Sequence, residues 1–262
     1  QFALTPESEA NSVAEYAWSK GIRRAAAIAP QTILGERLIR AFTTKWEELG
    51  GTILNPVQYD DAQSRYVNAV RRAFNLDLSA ARGKQLTKTI GRQLIQEPRA
   101  RKDVDGIFIG GLPVDNRQLI PQLRYFGVAK VPMFSSSHTF AGRRDPGNDL
   151  DLDGANFGDM AWVLGEDTEL TSYQNFRNNW PNLGPQLVRM HAFGLDAYAL
   201  VPRVANFRYQ NDKNFEGATG TLSVGRNGEI ERDLVFARFV NGVPQLSNSR
   251  SLAPSSEQNI RF

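Results

Sequence analysis

Three serines stand beside a histidine at Ser135–His138, the stretch of this sequence whose side chains come nearest to nucleophilic chemistry. A serine nucleophile needs a base within hydrogen-bond reach and an acid that orients the base. The G-x-S-x-G pattern that holds such a serine on a sharp turn occurs nowhere in the chain. The stretch therefore predicts serines that hydrogen-bond the backbone at a strand end, with catalysis through Ser136 as the less favoured alternative.

A second cluster, Asp149, Asp151, Asp153 and Gly154, has the spacing that opens a calcium-binding loop. Such a loop ends in a bidentate glutamate at its twelfth position, and that position is Met160 here. We therefore expect these aspartates to accept hydrogen bonds from turn backbone. The chain has no cysteine, which excludes disulfides, thiol catalysis and cysteine metal sites. No metal and no cofactor is predicted.

Glycines follow a buried apolar run in "FIGGLP", Phe108–Pro113, but neither the Walker pattern nor the dinucleotide-binding pattern is present. In open α/β sheets, ligands bind beyond the carboxyl ends of the strands. Residues at three such predicted ends are therefore candidates for lining a cleft: Pro30, Gln31, Gly110, Gly111, Ser135, Ser136 and Ser137.

Basic residues are concentrated between Arg65 and Lys102. This stretch contains ten lysines and arginines but only two acidic residues, Asp77 and Glu97. Their interleaving with apolar helical positions and the lack of a nucleic-acid-binding motif favour a solvated or partner-facing helix surface over a nucleic-acid interface. The candidates for a partner surface are Arg71, Arg72, Arg99, Arg101, Arg143 and Arg144.

Strands and helices alternate through residue 137, which predicts a mostly parallel sheet with helices on both faces. The pattern begins with a helix after Thr5-Pro6, a buried strand in "AAAIAP" and an amphipathic helix ended by Gly50-Gly51. Pro56 places the next strand at an edge of the sheet. After Ser137 a loop rich in Gly, Asp and Asn leads to a strand, two helices and a hairpin.

The basic region is predicted to hold two helices, the second capped by Ser79. Leu86, Ile90 and Leu94 lie four residues apart and are predicted to share one apolar face of that helix. Hydrophobic residues make up 41% of the 262-residue chain, so it should fold as a globular protein. No run approaches the roughly 18 apolar residues that span a bilayer.

The closing hairpin, "FEGATGTLSV" followed by "RNGE", contains several glycines. Gly217 and Gly220 are suited to tight turns, and Asn227-Gly228 to a type I′ hairpin. With "FGLDAYAL" before it, this section resembles the closing section of type I periplasmic binding proteins, in which a helix bearing Asp-Ala precedes a Phe-x-Gly-x-x-Gly turn into a strand.

Other stretches narrow the resemblance. "FALTPESEA", "EPRARKDVDGIFIGG", "SSSHTF" and "DLDGANFGDMAWVL" are similar to the C-terminal domain of the LppC/LpoA lipoproteins, a family of penicillin-binding protein activators. The resemblance covers most of residues 2–240. It implies an α/β, type I periplasmic-binding-protein-like fold with the first lobe largely absent from this chain.

The family resemblance also implies a function. It indicates a non-enzymatic periplasmic regulator that binds and activates a class A penicillin-binding protein, the bifunctional peptidoglycan synthase. We expect no nucleic-acid partner, and membrane contact only through an N-terminal lipid anchor outside this chain, at the inner face of the outer membrane. The alternative is a periplasmic solute receptor for an amino acid or a peptidoglycan fragment.

The resemblance further suggests how the chain divides. Residues 1–168 with 226–246 are expected to form the second α/β lobe, and residues 169–225 to hold helices and a crossover segment that returns toward the first lobe. Residues 247–262 are expected to form a polar tail. The helix around Phe193–Val204 belongs with the first lobe in the wider superfamily, so it should either repack or leave an apolar face uncovered.

Overall fold

The structure is a computed structural model that describes residues 2–60, 62, 64–92, 97–165, 172–203, 214–225 and 228–247. Helices and strands alternate through its first half, as predicted. The helices are α1 (Pro6–Ser19), α2 (Ile33–Glu48), α3 (Arg65–Ala73), α4 (Leu76–Ile90), α5 (Pro113–Tyr125), α6 (Pro146–Asp149), α7 (Tyr173–Asn179) and α8 (Pro185–Leu200). The strands are β1 (Arg24–Pro30), β2 (Thr52–Tyr59), β3 (Gly106–Ile109), β4 (Met133–Ser135), β5 (Ala155–Asp159), β6 (Asn214–Gly217), β7 (Gly220–Val224), β8 (Ile230–Asp233), β9 (Val235–Val240) and β10 (Val243–Leu246).

The larger sheet has seven strands in the order β10-β9-β5-β4-β3-β1-β2. Strands β1 to β5 run parallel to one another, and β9 and β10 continue the sheet antiparallel beyond β5. The predicted α/β class with a mostly parallel sheet is confirmed. In-register pairing of Ile28 with Ile109, and of Ile109 with Ser135, brings the carboxyl ends of three strands to one edge.

Helices cover both faces of this sheet, because successive residues of a strand point to opposite sides. Ala25 and Ala27 of β1 pack with α1 and α2, where Trp46 is fully buried. Ala26 and Ile28 pack toward α3 and α5 on the other side. The alanines keep β1 thin, which allows helices close to it on both faces.

Strand β2 lies at the edge of the sheet, as Pro56 predicted. Its pairing with β1 shifts register between Ala26 and Ile28, and Asn55 adopts a positive φ of 48° at the irregularity. A proline has no N–H to donate to a ladder, so it is tolerated where no further strand pairs.

The predicted start of α4 at Ser79 is wrong. The helix begins at Leu76, after Asn75 in the left-handed conformation, and Ser79 lies inside it. The Ser79 hydroxyl instead accepts a hydrogen bond from the backbone N–H of Arg99 at 3.1 Å. Leu86 and Ile90, two members of the predicted apolar face, are about half exposed, and Leu94 lies outside the described residues.

Two of the aspartates with the calcium-loop spacing have structural contacts. One accepts hydrogen bonds from a turn, and the other forms an ion pair. Asp153 accepts hydrogen bonds from the backbone N–H groups of Asn241 and Gly242, which confirms a turn-capping role for this residue. Asp149 is buried and pairs with Arg117, with 2.7 Å between Oδ1 and Nη2. The described part of the chain contains no group of three potential metal-binding side chains.

The predicted hairpin is present as β7 and β8, which pair antiparallel and join β6 in a separate three-stranded sheet. Gly228 has the expected positive φ of 76°, while its turn partner Asn227 lies outside the described residues. Among the helices that the structure describes, none combines the length and the apolar character needed to cross a membrane.

Candidate functional site

The structure gathers most of the predicted cleft-lining residues at one edge of the larger sheet. Gly110, Gly111 and Ser135–Ser137 are buried there, whereas Gln31 is exposed and Pro30 is partly exposed. The Ser135 hydroxyl donates to the carbonyl of Ile109 at 2.6 Å, which confirms the backbone role predicted for that serine. A Cβ on Gly111 would lie 2.3 Å from the side-chain oxygen of Asn116, so only glycine fits there.

The serine and histidine of this edge do not form a hydrolase triad. Ser136 Oγ lies 3.3 Å from His138 Nδ1, and the carboxylate of Glu9 lies 3.5 Å from the same ring nitrogen. In a triad the serine and the acid contact different nitrogens of the imidazole, so that a proton can pass through the ring. Ser136 is also fully buried.

A band of buried polar side chains connects this edge to α8 and to the smaller sheet. We call it the polar seam, and its members are Glu9, Ser137, His138, Asp159, Arg189, Asp196, Thr219 and Arg232. At its centre Arg189 of α8 donates from Nε to Asp159 Oδ1 at 3.0 Å and from Nη2 to Oδ2. Nη2 also donates to the carbonyls of Ser137 and Phe140, each at 3.2 Å. Burial raises the pKa of Asp159, and the charge and hydrogen bonds of Arg189 partly offset that effect.

A carboxylate on α8 also holds the glycine-rich turn before β7. Asp196 accepts hydrogen bonds from the backbone N–H groups of Ala218 and Thr219, each at 2.7 Å, and from the Thr219 hydroxyl at 2.6 Å. Burial raises the pKa of Asp196, and these hydrogen bonds counteract the increase. A Cβ on Gly217 would lie 2.6 Å from Asp196 Oδ2, so the turn can approach the carboxylate only with glycine at this position.

At the other end of the seam, Glu9 of α1 faces β4 and β8. Its Oε2 accepts from the Ser137 hydroxyl at 2.7 Å, and its Oε1 lies 3.9 Å from Arg232 Nη2. Burial raises the pKa of Glu9, but the hydrogen bonds from His138 and Ser137 and the charges of His138 and Arg232 outweigh it and hold the pKa below its usual value. Burial lowers the pKa of Arg232, whose Nε and Nη1 have no hydrogen-bond partner in the described part of the chain.

Three of the six partner-surface candidates have partners within the chain, and the other three form no ion pair among the described residues. Arg71 forms an ion pair with Asp77 at 2.6 Å. Arg101 forms one with Asp103 at 2.7 Å and lowers the pKa of Asp103 to about 2. Arg72 donates to the carbonyl of Gln58. These three side chains are partly engaged within the chain itself and are less free to meet a partner.

The remaining candidates, Arg99, Arg143 and Arg144, are exposed. Arg143 and Arg144 line a cleft of about 460 Å³ whose floor includes Phe140 and Tyr173. Arg99 lines a second groove beside α4. The structure thus places these three candidates in two separate regions.

Helix α8 presents large apolar side chains to solvent, in line with the expectation of an uncovered face. Leu187, Met190, Tyr198 and Val201 are each more than half exposed. With the exposed Gly194 they follow steps of three or four residues, which is the spacing of one helix face. The opposite side of α8 carries Arg189 and Asp196 into the polar seam.

The functional residues predicted from the sequence do not include Glu9, Asp159, Arg189 or Arg232. Glu9 and Asp196 each lie beside apolar residues of an amphipathic helix. A charged residue at such a position was the signal in the sequence for a buried polar contact. Arg189 and Arg232 carry no comparable signal, since their partners come from distant parts of the chain.

Comparison with known proteins identifies the family. A sequence profile of the family described as "LppC putative lipoprotein" matches residues 1–242. The chain belongs to the LppC family. Relatives of this LppC chain include the "Penicillin-binding protein activator LpoA" of Photobacterium profundum, which is 27% identical over 92% of this chain and 39% of its own length. The protein of the same name from Aliivibrio fischeri is 28% identical over 90% of this chain and 39% of its own length.

Solved structures place the LppC chain in the periplasmic-binding-protein-like fold. The "LpoA (YraM) C-domain from Haemophilus influenzae, a regulator of PBP1A" superposes with a TM-score of 0.67 at 24% identity, covering 93% of this chain and 67% of that one. A putative branched-chain amino acid ABC transporter from Rhodospirillum rubrum gives 0.66 at 16% identity, with 94% and 66% covered. These likenesses concern the fold. The LppC chain spans about two-fifths of the length of the curated relatives named above.

Proposed function

We propose that this chain is part of a non-enzymatic periplasmic regulator that binds and activates a class A penicillin-binding protein, a bifunctional peptidoglycan synthase. The observation that carries the proposal is the family match over residues 1–242, together with relatives named penicillin-binding protein activators. The geometry is compatible with this, since the Ser135 and Ser137 hydroxyls donate to groups within the chain and Ser136 is fully buried.

An activator of this kind works by binding one conformation of the synthase more tightly than another. A tenfold preference for the active conformation corresponds to about 1.4 kcal/mol, which a few side chains at an interface can supply. No substrate has to reach the polar seam for this mechanism. The lipoprotein family name fits a location at the inner face of the outer membrane, from which the regulator would reach the synthase.

The test is direct. The purified chain is added to a purified class A synthase and to a monofunctional class B transpeptidase, and binding and glycan polymerisation are measured. We expect binding to the class A enzyme alone and a rise in its polymerisation rate. No binding, or equal binding to the class B enzyme, would refute the proposal for this chain.

A receptor for an amino acid or a peptidoglycan fragment is the second candidate, and the fold shared with amino-acid transporter components is the observation in its favour. It is the weaker candidate, because Ser135 and Ser137 at the strand ends direct their hydroxyls to partners within the chain. Calorimetry with amino acids and cell-wall fragments would support it if micromolar binding appeared.

We also propose the domain division that the family resemblance suggests, with residues 169–225 directed toward a further lobe. The exposed apolar face of α8 supports this division, because an apolar helix face is usually covered in the complete protein. Asp196 of α8 also accepts hydrogen bonds from the turn between β6 and β7, which attaches these two strands of residues 169–225 to the helix.

A further inference from the structure

Helix α4 protrudes from the molecule and is attached mainly at its beginning. Of its fifteen residues only Leu76 and Gly83 are buried. Near this end the Ser79 hydroxyl accepts from the backbone of Arg99, and further contact comes from neighbouring α3. A helix of this length is marginal in water on its own, since most helix stability in proteins comes from packing one face. The structure therefore leaves α4 with less packing than its length calls for.

The surface of α4 has the shape and the apolar side chains of a docking site. Leu78, Leu86 and Ile90 are 55%, 48% and 51% exposed. A groove of about 650 Å³ runs between the helix and the segment 97–99. Its helix wall includes Ala80, a small and only partly buried residue, which lets another chain approach the helix closely.

Three cations, Arg82, Lys84 and Arg99, line the groove, and two more, Lys88 and Arg92, lie in α4 and just after it. Arg82, Lys84, Lys88, Arg92 and Arg99 are exposed. None of the five forms an ion pair with an acid in the described ranges, whereas Arg71 next to the helix is paired with Asp77. Glu97 in the groove wall is an acid that faces the same space. The surface is therefore positive and complementary to an acidic partner.

We propose that the α4 groove docks an acidic polypeptide segment that inserts a large apolar side chain beside Leu86 and Ile90. A second copy of this chain is disfavoured, because it would bring the same five cations against each other. An anionic membrane is disfavoured as well. Arg82 lies one turn from both Leu78 and Leu86, so a charge interrupts the apolar side chains, whereas a helix lying on a membrane presents a continuous apolar face.

This inference rests on the proposed function for the identity of the partner, the class A synthase. The first test measures the affinity of the full 262-residue chain for that enzyme. The double variant Arg82→Glu/Lys88→Glu is compared with Arg40→Glu/Lys130→Glu, which changes the net charge equally at exposed positions away from the groove. Leu86→Gln is compared with Ile33→Gln, another exposed apolar residue. Thermal unfolding confirms that each variant folds.

We expect the α4 charge reversal to weaken binding at least about tenfold and Leu86→Gln about fivefold, with both controls within about twofold of the unaltered chain. If the unaltered chain binds and the α4 variants bind equally well, the α4 inference is overturned and the proposed function stands. If the unaltered chain does not bind the synthase, the proposed function fails, and a second probe decides the α4 inference.

The second probe is a synthetic twelve-residue peptide of glutamates around one central tryptophan, with a matched peptide of lysines around the same tryptophan. Nuclear magnetic resonance of the full chain should show shifts in residues 76–90 with the acidic peptide alone. Absence of those shifts overturns the inference. Binding of phosphatidylglycerol vesicles that Arg82→Glu/Lys88→Glu abolishes, without any response to the acidic peptide, would replace it with a membrane contact.

Discussion

Glu9 shows how a single buried carboxylate can make stability depend on pH. Hydrogen bonds and nearby positive charge hold its pKa below the ordinary value despite burial. In the window below the ordinary value of 4.5, the unfolded chain binds a proton that the folded chain does not. The stabilisation from Glu9 is therefore complete above that window and is lost as the pH falls through the lowered pKa.

We predict that Glu9→Gln lowers the free energy of unfolding at pH 7, and that the difference from the unaltered chain shrinks toward pH 3. Urea denaturation at both pH values measures it. Glu15→Gln, at a carboxylate more than half exposed, serves as the control and should show little difference at either pH. A Glu9→Gln deficit that stays constant with pH would contradict the assigned direction of the pKa shift.

The sequence predicted that Ser135–Ser137 lie at a strand end and that Ser135 bonds the backbone. It did not predict the partner of Ser137. Ser135 could be assigned to the backbone because it ends a strand whose neighbour also ends there. The partner of Ser137 is Glu9, 128 residues earlier in the chain, and helix packing alone brings the two together. Local patterns contain no information on such a pair.

Two glycines illustrate, at the scale of the elements, how backbone conformation decides whether a residue can be replaced. Gly220 begins β7 at a φ of 137°, and a Cβ there would lie 2.2 Å from the carbonyl oxygen of Asp233 on β8. Gly194 lies inside α8, is exposed, and has open space around the position of a Cβ. The first glycine is required by the hairpin, and the second only weakens its helix.

We predict opposite effects of the same substitution. Gly220→Ala should lower the free energy of unfolding by about 2 kcal/mol or more, through strain and the clash with β8. Gly194→Ala should raise it by about 0.5–1 kcal/mol, because alanine favours the helix. Chemical denaturation of both variants measures the difference. A loss of stability in Gly194→Ala would mean that α8 already has a close neighbour at that point.

Hydrophobic periodicity and capping residues predicted most helices and strands correctly, but they failed for the start of α4. Pro6, Gly50 and the edge proline Pro56 each have the predicted role. Ser79 satisfies the composition of an N-cap, yet the helix is capped four residues earlier, by Asn75 in the left-handed conformation. Leu86 and Ile90 lie on one face of α4, as their spacing predicts, but such a pattern cannot distinguish a face that packs within the chain from one that remains open for a partner.

At the scale of the whole molecule, the polar seam joins the larger sheet to α8 and the smaller sheet. The Arg189–Asp159 pair is its central link, with the carboxylate fully buried and the arginine side chain 12% exposed. An ion pair of this kind need not add net stability, but removing one partner leaves a buried charge alone. The planar guanidinium also reaches two carbonyls that a lysine could not contact together with Asp159.

We predict that Arg189→Lys lowers the free energy of unfolding by about 2–4 kcal/mol and increases hydrogen exchange in α8. The matched control is Arg24→Lys. Arg24 forms a similar fork with Asp105 at the surface, where its side chain is 49% exposed, and the change should cost clearly less than Arg189→Lys. Equal losses in the two variants would mean that burial does not increase the contribution of the Arg189–Asp159 pair to the free energy of unfolding. Faster exchange throughout the chain, rather than in α8 and the smaller sheet, would show that the seam stabilises the whole fold instead of one attachment.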